Sequence, residues 1–348
     1  MSLNFAINGF GRIGRTATRV WWKNHRDIGN LVAINTSGSM EIDQWAHLLK
    51  YDTNYGVFDQ EVKVEKIKSK KEVTDEDPLL GYLTIGDHKI KVTAQRDPAK
   101  LPWAKYGVDV VIEATGVFRT EETAGAHLTA GAKKVLLSAP GKGEGISTSV
   151  ISVNEFNPQA KVLSNASCTT NSVAPVVAVM VETFGVEKAM LTTVHSYTDD
   201  QNTQDNSHKK DLRRARTAAQ NIIPTTTGAA KATAMVIPEM KGIFDGMAVR
   251  VPTPVGSLSD MTFVTKRKTT VDEVNRVLTE ASRSDRYRGI IAVEPDPVVS
   301  SDIVGRDESS IVDLGLTQVI GGNLVKVVSW YDNEWGYCNR LVEQLSKI

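Results

Sequence analysis

The sequence is poor in cysteine: only Cys168 and Cys338 occur among 348 residues, far apart and without neighbouring metal ligands. A disulfide framework and a structural zinc site are therefore not expected. Net charge is absent too, because 41 Lys and Arg residues balance 41 Asp and Glu residues. That balance argues against a protein that coats nucleic acid or is drawn to a membrane. No apolar run approaches the roughly 18 residues of a membrane span, and the N-terminus lacks a signal-peptide pattern. We expect a cytoplasmic protein with no metal, membrane or specific nucleic-acid partner.

Strands and helices alternate in the first half of the chain. An apolar strand over 3–8 leads through glycines into a helix over 15–24, and a second strand covers 30–35. This order predicts a right-handed crossover in a parallel sheet. Lys and Glu mix in 61–77, which predicts a solvated ribbon or loop without a partner. The remaining elements expected in this half are a hairpin over 82–93, strands at 108–113, 135–138 and 161–164, and helices at 44–51 and 120–131.

Long strands of period two replace this pattern after Cys168. They are expected at 188–198, 246–254 and 260–266, followed by a helix capped by Thr270 and Glu273, a hairpin turning at 321–322, and a terminal helix over 333–345. The predicted fold is α/β: a Rossmann-type, doubly wound parallel sheet plus an α+β domain with a mostly antiparallel sheet. We expect residues 1–167 and 333–348 to form the first domain and 168–332 the second.

The glycine pattern Gly9-x-Gly11-x-x-Gly14 lies between the first strand and the first helix. Missing side chains there let backbone N–H groups approach a pyrophosphate at the helix N-terminus. The pattern predicts a dinucleotide site, and the alternative is an ordinary tight turn. A carboxylate usually ends the second strand of an NAD site. Here the strand ends in Thr36, Ser37, Gly38 and Ser39, which favours NADP, although no Arg or Lys occurs in 36–40.

Cys168 follows the helix-capping sequence Asn165-Ala166-Ser167 and is expected in the first turn of a helix, where a thiolate is favoured. The alternative, a buried and inert thiol, fits the polar neighbours poorly, whereas Cys338 has the surroundings of a structural residue. His195 ends a strand and is the best candidate for a base that acts on the thiol. We expect the other histidines to be surface or capping residues.

Several motifs resemble those of the phosphorylating glyceraldehyde-3-phosphate dehydrogenase family, NADP-preferring type, over essentially the whole chain. The octet Ser-Asn-Ala-Ser-Cys-Thr-Thr-Asn at 164–171 is the most specific. Further matches are the glycine motif at 8–14, Gln-Arg-Asp-Pro at 95–98, Glu-Ala-Thr-Gly at 113–116, His-Ser-Tyr-Thr at 195–198, the basic segment 211–216, and 224–230, 250–254 and 330–337.

The resemblance implies that Cys168 forms a hemithioacetal and then a thioester with glyceraldehyde 3-phosphate, that His195 moves the proton, and that inorganic phosphate releases 1,3-bisphosphoglycerate. It implies NADP, with NAD also possible, a catalytic second domain, and a homotetramer. The substrate and phosphate residues that it implies are Thr198 and Arg250 for the aldehyde's phosphate, and Ser167, Thr169, Arg214, Thr227 and Gly228 for inorganic phosphate. The expected cofactor-binding residues are Gly9, Phe10, Gly11, Arg12, Ile13, Gly14, Thr36, Ser37, Arg96, Thr115, Gly116, Ser138, Ser207, Asn333 and Tyr337.

The chain departs from the family pattern at Asn206-Ser207, where NAD-preferring members often carry Leu-Pro, and this departure also favours NADP. Ser172 stands where many relatives have a second cysteine. Two alternatives stay open at this point. One is erythrose-4-phosphate dehydrogenase using the same Cys–His pair, and the other is a regulatory or RNA-binding protein with secondary catalysis.

Overall fold

The computed structural model describes residues 3–348, which divide into two compact units. The first unit runs to Ser149 and also takes in Phe156–Ala166 and Cys338–Ile348, while the second comprises Val150–Glu155 and Ser167–Tyr337. Residues 150–155, Ser167 and residues 333–337, which the sequence assigns to the first domain, thus lie in the second unit. One contact that holds 333–337 there is the Asn333 side-chain oxygen, which accepts hydrogen bonds from the Gly256 N–H and the Ser257 hydroxyl.

Strands and helices alternate along the first unit, as predicted. Its strands are β1 (Asn4–Asn8), β2 (Asn30–Thr36), β3 (Tyr51–Asp52), β4 (Gly56–Val57), β5 (Val62–Lys66), β6 (Leu79–Ile85), β7 (His88–Ala94), β8 (Val110–Glu113), β9 (Lys134–Leu137), β10 (Ile146–Thr148) and β11 (Val162–Ser164). Its helices are α1 (Arg12–Asn24), α2 (Ile42–Lys50), α3 (Trp103–Tyr106) and α4 (Glu121–Thr129).

The main sheet of this unit has the strand order β10-β11-β9-β8-β1-β2-β7-β6-β5 within residues 3–348. The strands from β10 to β7 pair in parallel, and β5, β6 and β7 form an antiparallel edge. The central strand β8 is buried along its whole length, as a parallel strand covered on both faces should be. Since the chain proceeds from β1 to β2 on one side and later returns to β8 on the other, the carboxyl ends of β1 and β8 mark a topological switch point. Such a point is where open α/β sheets bind ligands.

The second unit is built on a mixed sheet with the order β13-β14-β12-β15-β19-β17-β16, and β18 pairs with β19. Most neighbours are antiparallel, as predicted, but β12 with β14 and β16 with β17 are parallel pairs. The strands are β12 (Val186–Ser196), β13 (Ile223–Thr226), β14 (Phe244–Val251), β15 (Ser257–Thr265), β16 (Ile291–Glu294), β17 (Ser310–Asp313), β18 (Gln318–Ile320) and β19 (Leu324–Tyr331).

Helix α5 (Cys168–Phe184) is the central helix of this unit and is buried over most of its length. It packs against the sheet and against α6 (Ala229–Val236) and α7 (Val271–Arg283). One half of the predicted cap of α7 is present, because the Thr270 hydroxyl accepts the Glu273 N–H. The Glu273 carboxylate instead accepts hydrogen bonds from the Thr269 hydroxyl and from Arg267. The last helix, α8, covers Trp335–Glu343, and short 3₁₀ turns lie at Pro98–Lys100, Ala218–Gln220, Pro238–Met240, Ser300–Ile303, Leu314–Leu316 and Gln344–Lys347. Across residues 3–348, every helix is too short or too polar to traverse a lipid bilayer.

Candidate active site

Cys168 is the first residue of α5, where the sequence predicts it. The helix is capped by Ser167, whose hydroxyl accepts the Thr170 N–H at 3.1 Å. Ala166 turns the chain just before the cap with φ of 54°, a left-handed conformation that is uncommon outside glycine. Together the turn and the cap place the cysteine at the positive end of the helix, and its side chain remains partly exposed.

His195 lies opposite the thiol, near the end of β12. Its Nε2 is 3.4 Å from the Cys168 Sγ, within hydrogen-bonding range for sulfur. The parallel pairing of β12 with β14 makes Arg250 the register partner of His195. These three side chains, which the sequence places on three separate elements, therefore meet in one site.

The proton on the imidazole depends on what its other nitrogen contacts. Nδ1 of His195 is 2.6 Å from the Ser196 carbonyl oxygen and 2.6 Å from an Arg250 Nη1. A guanidinium can only donate, so the Arg250 contact requires Nδ1 to accept and leaves the proton on Nε2. The Ser196 contact requires the opposite tautomer, with Nε2 free to accept a proton from the thiol. The surroundings of Nδ1 thus contain a partner for each tautomer.

Burial dominates the charge states of the pair. It raises the pKa of the Cys168 thiol, against the lowering effects of the Arg250 charge and of the N–H groups at the helix start. Burial also lowers the pKa of His195 to about 3, and the Arg250 charge adds to the effect. The sequence-based expectation that the helix start favours a thiolate names a real contribution, but in this structure desolvation outweighs it.

Tyr331, to which the sequence assigns no role, packs beside Cys168 and His195. Its hydroxyl lies 2.9 Å from both the Thr169 and the Thr193 hydroxyls, and its ring meets the His195 ring edge-on at 5.9 Å between centroids. Thr169 thus points its hydroxyl toward Tyr331. The sequence gives one indication of a role for Tyr331, which is its place in the motif at 330–337 that carries the family resemblance.

In the first unit, the glycine loop fits a dinucleotide at the switch point. A Cβ on Gly14 would lie 2.1 Å from the Gly9 carbonyl oxygen, and one on Gly9, whose φ is 98°, would lie 2.8 Å from the Thr115 nitrogen. Gly9 and Gly14 therefore allow close backbone packing. A Cβ on Gly11 would meet nothing within 4 Å, so this glycine borders open space at the start of α1. These are the separate tasks that a dinucleotide-binding loop gives to its glycines.

A buried Glu–His pair supports the loop that follows β8. Glu113 accepts hydrogen bonds from the Thr115 N–H at 2.8 Å, the Asn8 amide at 2.5 Å and the His127 Nε2 at 2.9 Å, while the Trp103 indole N–H lies 2.9 Å from His127 Nδ1. The expectation that His127 is a surface or capping residue is wrong, since its side chain is fully buried. The sequence conceals this because its partners come from three other elements.

The end of β2 carries hydroxyl groups and no carboxylate. The Thr36 side chain is buried, and its hydroxyl donates to the Thr93 carbonyl. Thr36 therefore leaves room for a ligand at this position, but its hydroxyl proton is already used in a hydrogen bond. Ser37 and Ser39 are exposed, with their hydroxyl oxygens 3.0 Å apart, and Gly38 turns the loop with φ of 72°. The Arg96 Nε donates to the Ser37 carbonyl at 3.3 Å. The segment therefore gains a cation from a distant part of the chain.

Comparisons with known proteins agree with this geometry. Residues 3–121 match the family model "Glyceraldehyde 3-phosphate dehydrogenase, NAD binding domain", and residues 167–333 match the corresponding C-terminal domain. Glyceraldehyde-3-phosphate dehydrogenase of Thermotoga maritima is 53% identical over 99% of this chain and 98% of its own length. The Streptomyces coelicolor enzyme is 48% identical over 99% and 97%, and the chloroplastic A enzyme of Chlamydomonas reinhardtii is 46% identical over 98% and 87%.

The chain belongs to the glyceraldehyde 3-phosphate dehydrogenase family. It is an NAD(P)-dependent oxidoreductase of that type, and its fold is the predicted Rossmann-type unit with a second, mostly antiparallel α+β unit. These matches favour neither of the alternatives, erythrose-4-phosphate oxidation or a regulatory protein with secondary catalysis.

All seven residues that the family resemblance assigns to substrate and phosphate lie in the second unit. Arg214 forms ion pairs with Asp200 and Asp211 and donates to the Thr225 hydroxyl at 2.7 Å. Thr227 and Gly228 immediately precede α6, and the Thr227 hydroxyl accepts the Ala229 N–H. Arg214 therefore reaches the segment that leads to this helix start, but its positive charge is already balanced by two carboxylates. The Thr198 hydroxyl donates to the Gln201 side-chain oxygen at 3.5 Å.

The residues that the family resemblance assigns to the coenzyme divide between the units, since Ser207, Asn333 and Tyr337 belong to the second. The Phe10 side chain is buried against Trp45, so it is the Phe10 backbone that a coenzyme at the glycine loop can contact. Arg12 directs its side chain to Asp52 at 2.5 Å. Both residues can serve a coenzyme through their main chain alone. Ile13 lies in α1, Ser138 follows β9 and Gly116 has φ of 70°.

Proposed function

We propose that this protein is a phosphorylating, NADP-preferring glyceraldehyde-3-phosphate dehydrogenase that interconverts D-glyceraldehyde 3-phosphate and 1,3-bisphosphoglycerate. The observation that carries the proposal is the Cys168 Sγ at a helix start, 3.4 Å from His195 Nε2. A nucleophile within reach of a base is the minimum for covalent catalysis on an aldehyde. Replacing Cys168 with Ser tests it, and a dehydrogenase rate that survived in this variant would contradict the assignment.

The chain's own groups account for the covalent steps. The sulfur adds to the aldehyde carbon, and His195 Nε2 takes the thiol proton and passes it to the oxygen of the hemithioacetal. A bound nicotinamide coenzyme would supply the acceptor for the hydride that leaves that carbon. His195 removes the hydroxyl proton as the carbonyl forms, which leaves a thioester on Cys168. An oxygen of inorganic phosphate then attacks the thioester, the C–S bond breaks, and the sulfur departs as the acyl phosphate is released.

In this scheme Arg250 links the tautomer of the base, His195, to the binding of the substrate. We propose that it holds the phosphate of the aldehyde together with Thr198, while Ser167, Thr169, Arg214, Thr227 and Gly228 serve inorganic phosphate. A guanidinium that turns to a phosphate no longer donates to His195 Nδ1 at 2.6 Å. Nδ1 can then donate to the Ser196 carbonyl, which leaves Nε2 as the acceptor that the thiol requires.

The first unit, in this proposal, is the dinucleotide-binding domain and the second is the catalytic domain. The N–H groups at the start of α1 would hold the pyrophosphate over Gly11, and the loop Thr115–Gly116 would border it. Among the described residues, the Asn333 oxygen already accepts two hydrogen bonds, so its NH₂ group is the part left to bond the nicotinamide carboxamide.

The preference for NADP is supported by the end of β2. A carboxylate there would repel a 2′-phosphate, and in its place Ser37 and Ser39 present hydroxyls while Arg96 lies on the Ser37 carbonyl. The test is the ratio of kcat/KM for NADP to that for NAD, in the parent and in Thr36→Asp. A tenfold preference of the parent for NAD would contradict the proposal.

We also propose that the protein works as a homotetramer. The second unit leaves a groove of about 1110 Å³ open on its sheet, with Met190 61% and Met235 63% exposed along it. Exposed methionines beside charged residues such as Lys231 and Asp245 support a subunit contact at this groove. Light scattering coupled to size-exclusion chromatography measures the mass of the assembly. Met190→Glu should weaken that assembly. A monomeric parent would contradict this part.

The cytoplasm is the proposed compartment. A catalytic thiol must stay reduced, and the cytosol keeps thiols in that state. Fractionation of cells, with detection of the native protein, would test this assignment.

A further inference from the structure

Lys70 lies beside the loop that follows β2, although the two are about thirty residues apart in sequence. Its ammonium group donates to the Ser39 carbonyl at 2.5 Å. The turn that carries Lys70 is fixed by reciprocal bonds between Ser69 and Glu72, and the Lys70 main-chain N–H donates to the Glu41 carboxylate at 3.1 Å. The position of the lysine is therefore held by its backbone as well as by its side chain.

Three other lysines of the segment 61–77 already pair with carboxylates: Lys63 with Glu61 at 2.9 Å, Lys66 with Glu41 at 3.1 Å, and Lys68 with Asp77. Lys71, the next residue, is exposed. Within residues 3–348, Lys70 Nζ has no carboxylate within ion-pair distance, and its side-chain hydrogen bond is to a neutral carbonyl. The nearby Glu41 carboxylate, which accepts the Lys70 main-chain N–H, also interacts with the lysine charge. A cation in that state retains two N–H donors for an anion.

Arg96 approaches the same loop from the other end. Its Nε contacts the Ser37 carbonyl, so a lysine and an arginine flank a loop that also presents the Ser37 and Ser39 hydroxyls. Cations and hydroxyls that converge on one loop suit a doubly charged phosphate. In a sheet of this kind the ribose of a bound dinucleotide lies at the end of the second strand.

We propose that Lys70 is a specificity-determining residue that binds the 2′-phosphate of the coenzyme. The inference rests on the proposed NADP preference and supplies an attractive charge that residues 36–40 lack. It assigns a ligand to the segment 61–77, for which the sequence pattern implies no partner.

Direct binding to the coenzyme-stripped, full-length enzyme tests the inference without a catalytic readout. Titration calorimetry with 2′,5′-ADP and with ADP, which lacks the 2′-phosphate, isolates that group. The test variant is Lys70→Met. Lys71→Met is its matched control, because Lys71 is exposed in the same turn and carries the same charge.

We expect Lys70→Met to weaken the binding of 2′,5′-ADP about tenfold, as loss of a charged hydrogen bond should. ADP binding should change less than twofold, and Lys71→Met should stay within twofold of the parent for both ligands. Lys70→Arg should restore most of the lost affinity. The difference between parent and Lys70→Met should shrink as salt rises, because the contact is solvent-accessible.

Equal losses in Lys70→Met and Lys71→Met would overturn the proposal, since general charge and not a contact would then explain them. So would an unchanged affinity of Lys70→Met in a parent that prefers 2′,5′-ADP. A parent that binds the two nucleotides equally would instead overturn the NADP preference itself. The binding data for the Lys70→Met variant therefore test the role of Lys70, and the binding data for the parent test the NADP preference.

Discussion

Replacing His127 with Leu should destabilise the first unit strongly, because the histidine satisfies two buried groups. Its side chain is fully buried, as is that of Trp103, whose indole N–H lies 2.9 Å from Nδ1. An indole N–H can only donate, so Nδ1 accepts and the ring proton is on Nε2, which donates to Glu113 at 2.9 Å. Leucine fills much of the space but provides neither group.

The expected cost follows from the two lost bonds. A buried donor left without a partner costs about 1–3 kcal/mol, and a hydrogen bond to a charged group contributes about 1.5–3 kcal/mol. Glu113 keeps its bonds from Asn8 and from Thr115, so its carboxylate is not stranded. We expect Leu at 127 to lower the free energy of unfolding by about 3–5 kcal/mol.

Two conservative variants separate the contributions. Asn at 127 places an acceptor near the position of Nδ1 and should preserve the Trp103 bond, whereas Gln places a donor near Nε2 and should preserve the Glu113 bond. Each should cost about 1–3 kcal/mol, since each loses one partner. In a Trp103→Phe background the cost of Leu at 127 should fall by about 1 kcal/mol or more, because no indole N–H remains to be stranded.

Urea unfolding of the coenzyme-free enzyme, followed by tryptophan fluorescence, measures these differences. Hydrogen exchange adds a local readout, because the Glu113 carboxylate holds the Thr115 N–H and the Thr115 hydroxyl holds the Val117 N–H. Those two amides should exchange faster in the Leu variant. A Leu variant within 1 kcal/mol of the parent would refute the reasoning, and so would Asn and Gln variants as unstable as Leu.

Three further predictions concern the second unit. Since burial lowers the pKa of folded His195 to about 3, below its ordinary value near 6.5, the unfolded chain binds the proton first as pH falls. Stability should therefore drop by a few kcal/mol between about pH 6.5 and 3, and His195→Asn should flatten that slope in urea unfolding at a series of pH values. Arg250→Gln should slow the alkylation of Cys168 by iodoacetamide severalfold at pH 7, because the arginine charge lowers the pKa of the thiol. An unchanged rate would count against this contribution. Tyr331→Phe should cost about 1–2 kcal/mol in unfolding free energy, since the buried hydroxyl contacts Thr169 and Thr193, and no cost would mean that these bonds contribute nothing.

The features that the sequence predicted well are set by neighbours along the chain. Ser167 caps the helix that begins with Cys168, and Thr270 caps α7, because a helix start is decided within four residues. The hairpins at 86–87 and 321–322 depend on glycine turns in the same way. His195 was recognisable because it lies near the end of a strand of period two.

The features that the sequence missed depend on residues far apart in the chain. The parallel pairing of β12 with β14 brings Arg250 beside His195. The alternation of apolar and polar residues along a strand does not indicate which strand pairs with it. His127 has the polar context of a surface histidine until α4 packs it against Trp103 and Glu113. Arg214 and Asp200 illustrate the same limit, since fourteen residues separate the members of that ion pair.

Coenzyme choice combines both kinds of information. Repulsion of a 2′-phosphate requires one carboxylate at the end of β2, so its absence is visible in the four residues from Thr36 to Ser39. In the proposed site, attraction requires cations from outside this segment, Lys70 from the turn after β5 and Arg96 from the segment after β7. The family resemblance points to Arg96, whereas no sequence motif points to Lys70. Because the two effects are carried by different segments, Thr36→Asp and Lys70→Met should each reduce the affinity for the 2′-phosphate. Since the two residues are expected to act on one phosphate, their combined effect should differ from the sum of the single effects.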